Sequence, residues 1–258
     1  MVEYVEYQVD GPRATITINQ PERRNPLSTE TMVALVERTR EAVADESVRV
    51  LVYTGAGDRA FSAGGDLSSG FVDDPIGLHS ARGAMADLFR AMWGGGKPTV
   101  ARVNGHALAG GFGLAVACDV TIAADDIKLG MPEIKVGLWP MMITVAVQRA
   151  MTPKASLELM MTGRLLEAEE ALALGALSRV VPRERLDDEV DEVVAGLAAH
   201  SPAVMMLGRD VFYAVQGLDA DTALDRLQSG LTAVALTEDS REGVQAFLEK
   251  RQPVWRGR

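Results

Sequence analysis

Val100-Ala101-Arg102-Val103-Asn104-Gly105-His106-Ala107-Leu108-Ala109-Gly110-Gly111-Phe112-Gly113-Leu114-Ala115-Val116-Ala117-Cys118-Asp119-Val120 is the stretch on which the fold turns. Pro98 to Val103 is a short apolar segment, read as a buried strand, and Asn104-Gly105 supplies a turn after it. Ala109-Gly110-Gly111 then opens a run, Phe112 to Cys118, that is apolar on all sides, the pattern of a buried helix. Asp119 to Ala124 is the next strand candidate. Strand, glycine-bearing turn, helix and strand in this order predict an α/β chain.

Working outward, the same alternation continues. Tyr4 to Val9 and Arg13 to Asn19 alternate apolar and polar residues around the turn Asp10-Gly11-Pro12, which predicts a β-hairpin. Ser28 or Thr29 caps a helix whose apolar residues Met32, Leu35, Val36 and Val43 recur at helical spacing. Val48 to Thr54 reads as a strand, Phe61 to Asp74 as a small-residue loop, and Gly77 to Trp93 as a helix stopped by Gly94-Gly95-Gly96. From Met141 onward the pattern is almost entirely helical: Met141 to Met151, Lys154 to Met161 after Pro153, Glu167 to Leu174, Asp187 to His200, Pro202 to Gly217 and Asp219 to Lys250. This change predicts a core over residues 1–200 and an appended helical region over 201–258.

The chain has 258 residues, of which 47% are apolar, and a formal net charge of −10. Such a composition predicts a packed globule and argues against a general nucleic-acid binder, whose affinity rests on Lys and Arg neutralising phosphates. A local cluster of cations or backbone amides still accommodates an anionic ligand. Cys118 is the single cysteine, so neither an intrachain disulfide nor a multi-cysteine zinc site is available. Met1-Val2-Glu3-Tyr4 does not resemble a targeting peptide, and no apolar run reaches membrane-spanning length. The expectation is a soluble cytoplasmic protein that neither enters a membrane nor binds nucleic acid.

The chemistry suggested by the glycines is anion stabilisation. The first N–H groups of a helix have no partner within it and carry the positive end of its dipole, so Gly110-Gly111 offers donors that a ligand oxygen can approach closely. Ser62-Ala63-Gly64-Gly65-Asp66 is a second such loop. Two amides from separate loops meeting one oxygen form an oxyanion hole, each donor contributing about 3 kcal/mol. Either cluster alone is better explained as a turn with close helix–strand packing, since short glycine-rich strings are weak signals.

Together with its surroundings, the Val100–Val120 stretch resembles the signature of the crotonase (enoyl-CoA hydratase/isomerase) family. Pro21-Glu22-Arg23-Arg24-Asn25-Pro26-Leu27 is similar to that family's early coenzyme A loop, and Phe61-Ser62-Ala63-Gly64-Gly65-Asp66-Leu67 to its first oxyanion segment. Gly130-Met131-Pro132-Glu133-Ile134 resembles the segment bearing a catalytic glutamate. Leu159 to Gly163, Ala168 to Ala171, Gly175 and Arg241 to Arg251 resemble its later helices, so the resemblance spans practically the whole chain.

The resemblance implies a spiral of ββα units with a helical C-terminal trimerisation region, assembled as a homotrimer or a hexamer of paired trimers. It implies an acyl-CoA thioester substrate, coenzyme A entering as part of that substrate, no prosthetic group and no metal. The thioester carbonyl is expected between the backbone N–H groups of Gly65 and Gly110, with Glu133 as general acid or base. Arg23, Arg24, Ala63, Asp66 and Leu67 are expected near the coenzyme and the thioester. Phe247 and Lys250 match positions that touch the nucleotide of a neighbouring subunit. Met131, Met141 and Met142 with Trp139 either line an acyl pocket or pack in the core.

Two departures stand out. Hydratases of this family hold a second glutamate where this chain has Gly113, and Leu138-Trp139-Pro140-Met141-Met142 supplies no replacement carboxylate. Syn hydration is most simply served by two carboxylates around one water, whereas a 1,3-proton shift needs one mobile base. The resemblance therefore points to enoyl-CoA double-bond isomerisation ahead of hydration by one glutamate, and to a non-catalytic coenzyme A-binding scaffold as the rival from another class. Ser68 is the second departure, standing where relatives often carry a phosphate-contacting lysine. His79, His106 and His200 are read as exposed or satisfied, and Cys118 as core.

Overall fold

The computed structural model describes residues 4–67 and 77–258. The expected hairpin is present: β1 (Val5–Asp10) pairs antiparallel with β2 (Arg13–Ile18), and Gly11 takes φ +53° in the turn. A 3₁₀ turn at Pro21–Arg23 and the short β3 (Pro26–Leu27) lead into α1 (Thr29–Ala44), where Ser28 accepts a hydrogen bond from Thr31 N as the N-cap. Met32, Leu35, Val36 and Ala42 form its buried face.

The chain then repeats one unit. It contributes a strand to a large sheet, a strand to a smaller one, and a helix that covers both. The first full repeat is β4 (Val50–Gly55), β5 (Ala60–Ser62), the short β6 (Gly64–Gly65) and α2 (Gly77–Gly94). The second is β7 (Thr99–Val103), β8 (His106–Leu108) and α3 (Gly110–Ala117). The third is β9 (Val120–Ala124) and β10 (Lys128–Gly130), then a 3₁₀ turn at Pro132–Val136 and α4 (Thr144–Ala150). α5 (Pro153–Thr162), β11 (Leu165–Glu167), α6 (Ala168–Ala173), β12 (Arg179–Val181) and α7 (Leu186–Ala198) complete the core.

The large sheet has the order β1-β2-β4-β7-β9-β12, parallel beyond the hairpin, and the smaller one the order β11-β10-β8-β5. β4 is buried throughout and α3 from Gly111 to Ala117, which explains their uninterrupted apolar sequences. Leu51, Tyr53, Phe61, Phe89, Phe112 and Ile122 are among the fully buried side chains between the layers. The spiral of ββα units expected from the resemblance is therefore the fold.

Several expectations about elements need correction. The segment after Met141 is not purely helical, since β11 and β12 lie within it and α4 begins only at Thr144. The single long helix expected over Asp219 to Lys250 is two, α9 (Ala220–Leu236) and α10 (Glu238–Glu249). Thr237 separates them with extended backbone (ψ 151°) and accepts Ser240 N as the cap of α10. Of the loop expected over Phe61 to Asp74, the described part holds β5 and β6, and the remainder with Ser68 lies outside the described residues.

Before these comes α8 (Pro202–Ala214), which packs on α2 and is fastened to the core by Asp119. That carboxylate accepts from Arg209 Nε (3.1 Å) and Nη2 (3.0 Å), Tyr213 OH (2.6 Å), Thr99 N (2.7 Å) and Thr99 Oγ1 (2.8 Å). Asp239, fully buried, takes Ser201 Oγ and the Arg256 and Gly257 amides, which holds the end of the chain against α8.

Candidate active site

Three parallel strands of the smaller sheet, β5, β8 and β10, end at the same edge, and each is followed by a residue singled out in the sequence. β5 leads to Gly64-Gly65, β8 to Gly110 and β10 to Glu133. The carboxyl edge of parallel strands is where α/β proteins commonly place ligands. Leu108 stands opposite Gly130, and Ala109 N donates to Gly130 O (2.8 Å), so the loops after β8 and β10 leave their strands side by side.

The two glycine loops touch. A Cβ built on Gly64 would lie 2.6 Å from Ala109 Cβ and 3.0 Å from Gly110 N, and Gly64 also takes φ +87°, so only glycine fits there. A Cβ built on Gly110 would lie 3.8 Å from Gly64 Cα. With adjacent Cα atoms about 3.8 Å apart, Gly65 and Gly110 lie within about 9 Å of each other. Ser62 organises the first loop, accepting Gly64 N at 3.1 Å while fully buried. The second is set by Ala109, whose φ of +52° is unusual for a residue with a side chain. Ala109 is the N-cap of α3 and provides no side-chain cap, so the N–H groups of the first turn have no capping partner there.

Glu133 sits in the first turn of Pro132–Val136, half-buried. Its Oε2 is buried with no hydrogen-bond partner among the described residues. Burial raises its carboxyl above the ordinary value, an effect only partly offset by its own backbone N–H. A carboxylate tuned in this way is suited to exchanging protons near neutrality.

Arg23, Arg24, Ala63, Asp66 and Leu67, separated in sequence, are brought together. Ala63 N donates to Arg24 O (2.9 Å), and β3 runs parallel to β6 with Leu27 opposite Gly65. Arg23 Nη2 is 2.8 Å from Oδ2 of the buried Asp66, so Asp66 holds an arginine of the neighbouring loop. Arg24 and Leu67 are exposed, and Arg24 takes φ +64°.

Other expected residues are placed differently. At Gly113 the space for a side chain is taken by Ile143: a Cβ there would lie 2.0 Å from Ile143 Cγ2 and 2.4 Å from its Cβ. Met131 is fully buried, whereas Met141 and Met142 are exposed, and Trp139 is half-buried against the core. Phe247 (82% exposed) and Lys250 lie at the end of α10, whose main packing is on α8 and α9. His106 Nδ1 accepts Lys128 N at 2.9 Å, and His79 and His200 are exposed.

Four residues were given no role of their own by the sequence reading: Met85, and Leu27, Asn25 and Asn104 within the quoted segments. Leu27 Cδ1 and Met85 Cε lie 3.2 and 3.4 Å from the Cβ position of Gly110 and pack against that glycine. Asn25 is fully buried and bonds Ala56 O and Ala60 O, and Asn104 bonds Gly55 O and Gly57 O. These two amides fix the turn from which β5 and the first glycine loop start. Asparagine side chains that bond loop backbone are common, and nothing local marks these two as special.

Among the described residues no group of three His, Cys, Asp or Glu side chains is arranged to hold a metal, and no single helix is long and apolar enough to cross a membrane. The class defined by the fold and these residues is an α/β spiral with paired glycine loops and the half-buried Glu133 after strands that share one edge. The sequence model described as enoyl-CoA hydratase/isomerase matches residues 13–258, and the chain belongs to that family, within the crotonase superfamily. A Thermus thermophilus relative, provisionally named an enoyl-CoA hydratase, is 37% identical and covers 94% of this chain and 97% of its own. The carnitinyl-CoA dehydratase of Salmonella enteritidis is 33% identical over 100% of both chains. The crystal structure of an enoyl-CoA hydratase of Mycobacterium smegmatis superposes with a TM-score of 0.94 at 32% identity, covering 98% of this chain and 99% of the other.

Proposed function

We propose that this member of the family moves protons on an enoyl-CoA thioester, with double-bond isomerisation as its main reaction. The thioester oxygen is held by the backbone N–H groups of Gly65 and Gly110. Glu133 removes a proton from C2, and the electron pair passes into the C1–C2 bond and onto the oxygen as an enolate. The same carboxyl then returns a proton at C4, and the double bond moves from C3–C4 to C2–C3. An enolate of a thioester is costly to form, so donors aimed at its oxygen act mainly in the transition state.

The observation that carries this reading is Glu133 itself, a half-buried carboxylate with a buried, unpartnered oxygen, on the segment that follows β10 as the two touching glycine loops follow β5 and β8. Isomerisation is favoured over hydration because Ile143 fills the side of α3 at Gly113, leaving no room there for a second carboxylate to hold water. Hydration by Glu133 alone is the second reading, and the names of the Thermus and Mycobacterium relatives favour it. Arg23 and Arg24 are assigned to the coenzyme phosphates.

The active unit is a homotrimer or a pair of trimers built through residues 201–258. α9 has no buried residue in the single chain, and Leu231, Leu236, Phe247 and Leu248 are each at least 68% exposed. Phe247 and Lys250 are assigned to the nucleotide end of a neighbouring subunit's coenzyme.

Hydrogen exchange at C2 of a saturated acyl-CoA in D2O tests the shared step, since that thioester can be neither isomerised nor hydrated. Wild type is expected to exchange the C2 hydrogen, and Glu133→Gln to do so two to four decades more slowly. Absence of exchange in the wild type, with the thioester bound, contradicts the proposal and leaves a coenzyme A-binding scaffold.

A further inference from the structure

At the end of α3 remote from Gly110 lies a cavity of about 500 Å³, bounded by the last turn of α3, the starts of β7 and β9, α4 and α8. Most of its wall is apolar, including Val116, Leu197, Met205 and Phe212. Its charged side chains are Arg149, Arg209 and Asp119, two cations against one anion, in a chain whose formal net charge is −10.

Asp119 is matched by Arg209, which is 9% exposed and bonds both of its carboxylate oxygens. Arg149 has no carboxylate at ion-pair distance among the described residues. Its guanidinium lies 4.0 Å above the Trp93 ring and 5.5 Å from that of Tyr213. Arg149 is exposed, and its partial desolvation against the two rings pushes it below its ordinary pKa. Arg209 Nη1 and Gln216 Oε1, from residues of the same wall, are buried without a partner among the described residues. A side-chain amide can be turned to present its NH2 in place of its oxygen.

Three of the last four carbonyls of α3, which would otherwise face an anion at this end, accept hydrogen bonds from side chains. Trp93 Nε1 donates to Ala117 O (3.0 Å), Thr121 Oγ1 to Ala115 O (2.9 Å) and Cys118 Sγ to Leu114 O (3.6 Å).

We propose that this cavity binds a small monocarboxylate with an apolar body, the carboxylate at Arg149 and Arg209 and the body against Trp93, Met205 and Phe212. One surplus positive charge matches a monoanion and leaves a phosphate dianion uncompensated. The volume falls within the range of small-molecule sites, and such sites are apolar with a few placed polar groups.

The probe is 4-bromobenzoate, with 4-bromobenzyl alcohol as its neutral counterpart, titrated into the full-length protein by calorimetry and soaked into crystals to locate bromine by anomalous scattering. The acid is expected to bind saturably and the alcohol not, with bromine beside Trp93 and Phe212. Arg149→Met is expected to weaken the acid at least tenfold while leaving turnover of the CoA thioester unchanged, because it lies outside the Glu133 cleft. The fold should tolerate this variant, since Arg149 makes no ion pair, and Gln216→Leu serves as a second variant with the same expected direction. Equal binding of acid and alcohol, unchanged affinity in Arg149→Met, bromine only beside Gly110, or a side chain of a second copy filling the cavity would each overturn the proposal.

Discussion

A Cβ on Gly113 would lie 2.0 Å from Cγ2 of Ile143, a side chain that is itself 3% exposed. The two residues share one packing space, and an acid cannot be added at Gly113 while Ile143 remains. Gly113→Ala is expected to destabilise by about 1–3 kcal/mol through overpacking. Gly113→Glu should cost more and confer no hydration. Gly113→Glu combined with Ile143→Ala should recover part of that stability and raise hydration relative to isomerisation. Denaturant melts and parallel hydration assays on the three variants check this.

Ionisation of Glu133 works against the fold. Its folded-state pKa is raised by burial, so its contribution to stability is intact below the ordinary carboxylate value of 4.5 and is lost as pH rises through the higher folded value. Glu133→Gln removes a group that must ionise in a desolvated place. Its Tm should therefore exceed that of wild type at pH 7–8, with the difference vanishing at about pH 4 and below. Thermal melts of both proteins across that range report it, and an equal Tm at every pH contradicts the desolvation argument.

Much of this site was legible because it is local. The glycines mark close approaches, and Glu133 follows Pro132 in a recognisable segment. What was not legible depends on partners distant in sequence. β8, β10, β11 and β12 have three residues each, too few for alternation to show, and they are strands only because others pair with them. Ile143 against Gly113 is a contact between the N-cap of α4 and α3, so no reading of either segment alone finds it. Ala109 at φ +52° carries no sequence mark at all. The break at Thr237 was readable in principle, since Thr237 and Ser240 have the spacing of an N-cap, but the apolar periodicity on both sides masked it.

Asp119 ties the helical C-terminal region to the core. Asp119→Asn leaves Arg209 a buried cation without its anion, and breaking a buried pair in this way costs about 3–5 kcal/mol. Thr99→Ala removes one of the five hydrogen bonds to the Asp119 carboxylate and the acceptor of Asp119 N, and should cost about 1–2 kcal/mol. Chemical denaturation should rank the two variants in that order, with Tyr213→Phe close to Thr99→Ala.

Leu231 is 70% exposed on α9, on the surface proposed to meet other copies. Leu231→Glu should lower the mass found by sedimentation, and turnover with it, while leaving the far-ultraviolet spectrum unchanged. A wild-type chain that sediments as a fully active monomer contradicts the assembly proposed for residues 201–258.

The proposed isomerisation requires one carboxylate, Glu133, to move one proton. Wild type and Glu133→Gln are to be assayed with matched 3-enoyl- and 2-enoyl-CoA thioesters of the same chain length, following double-bond migration and water addition separately. Wild type should convert the 3-enoyl thioester much faster than it hydrates the 2-enoyl one, and Glu133→Gln should bind both while losing two to four decades of turnover. Full activity in Glu133→Gln, or efficient hydration by the wild type without isomerisation, would contradict the account.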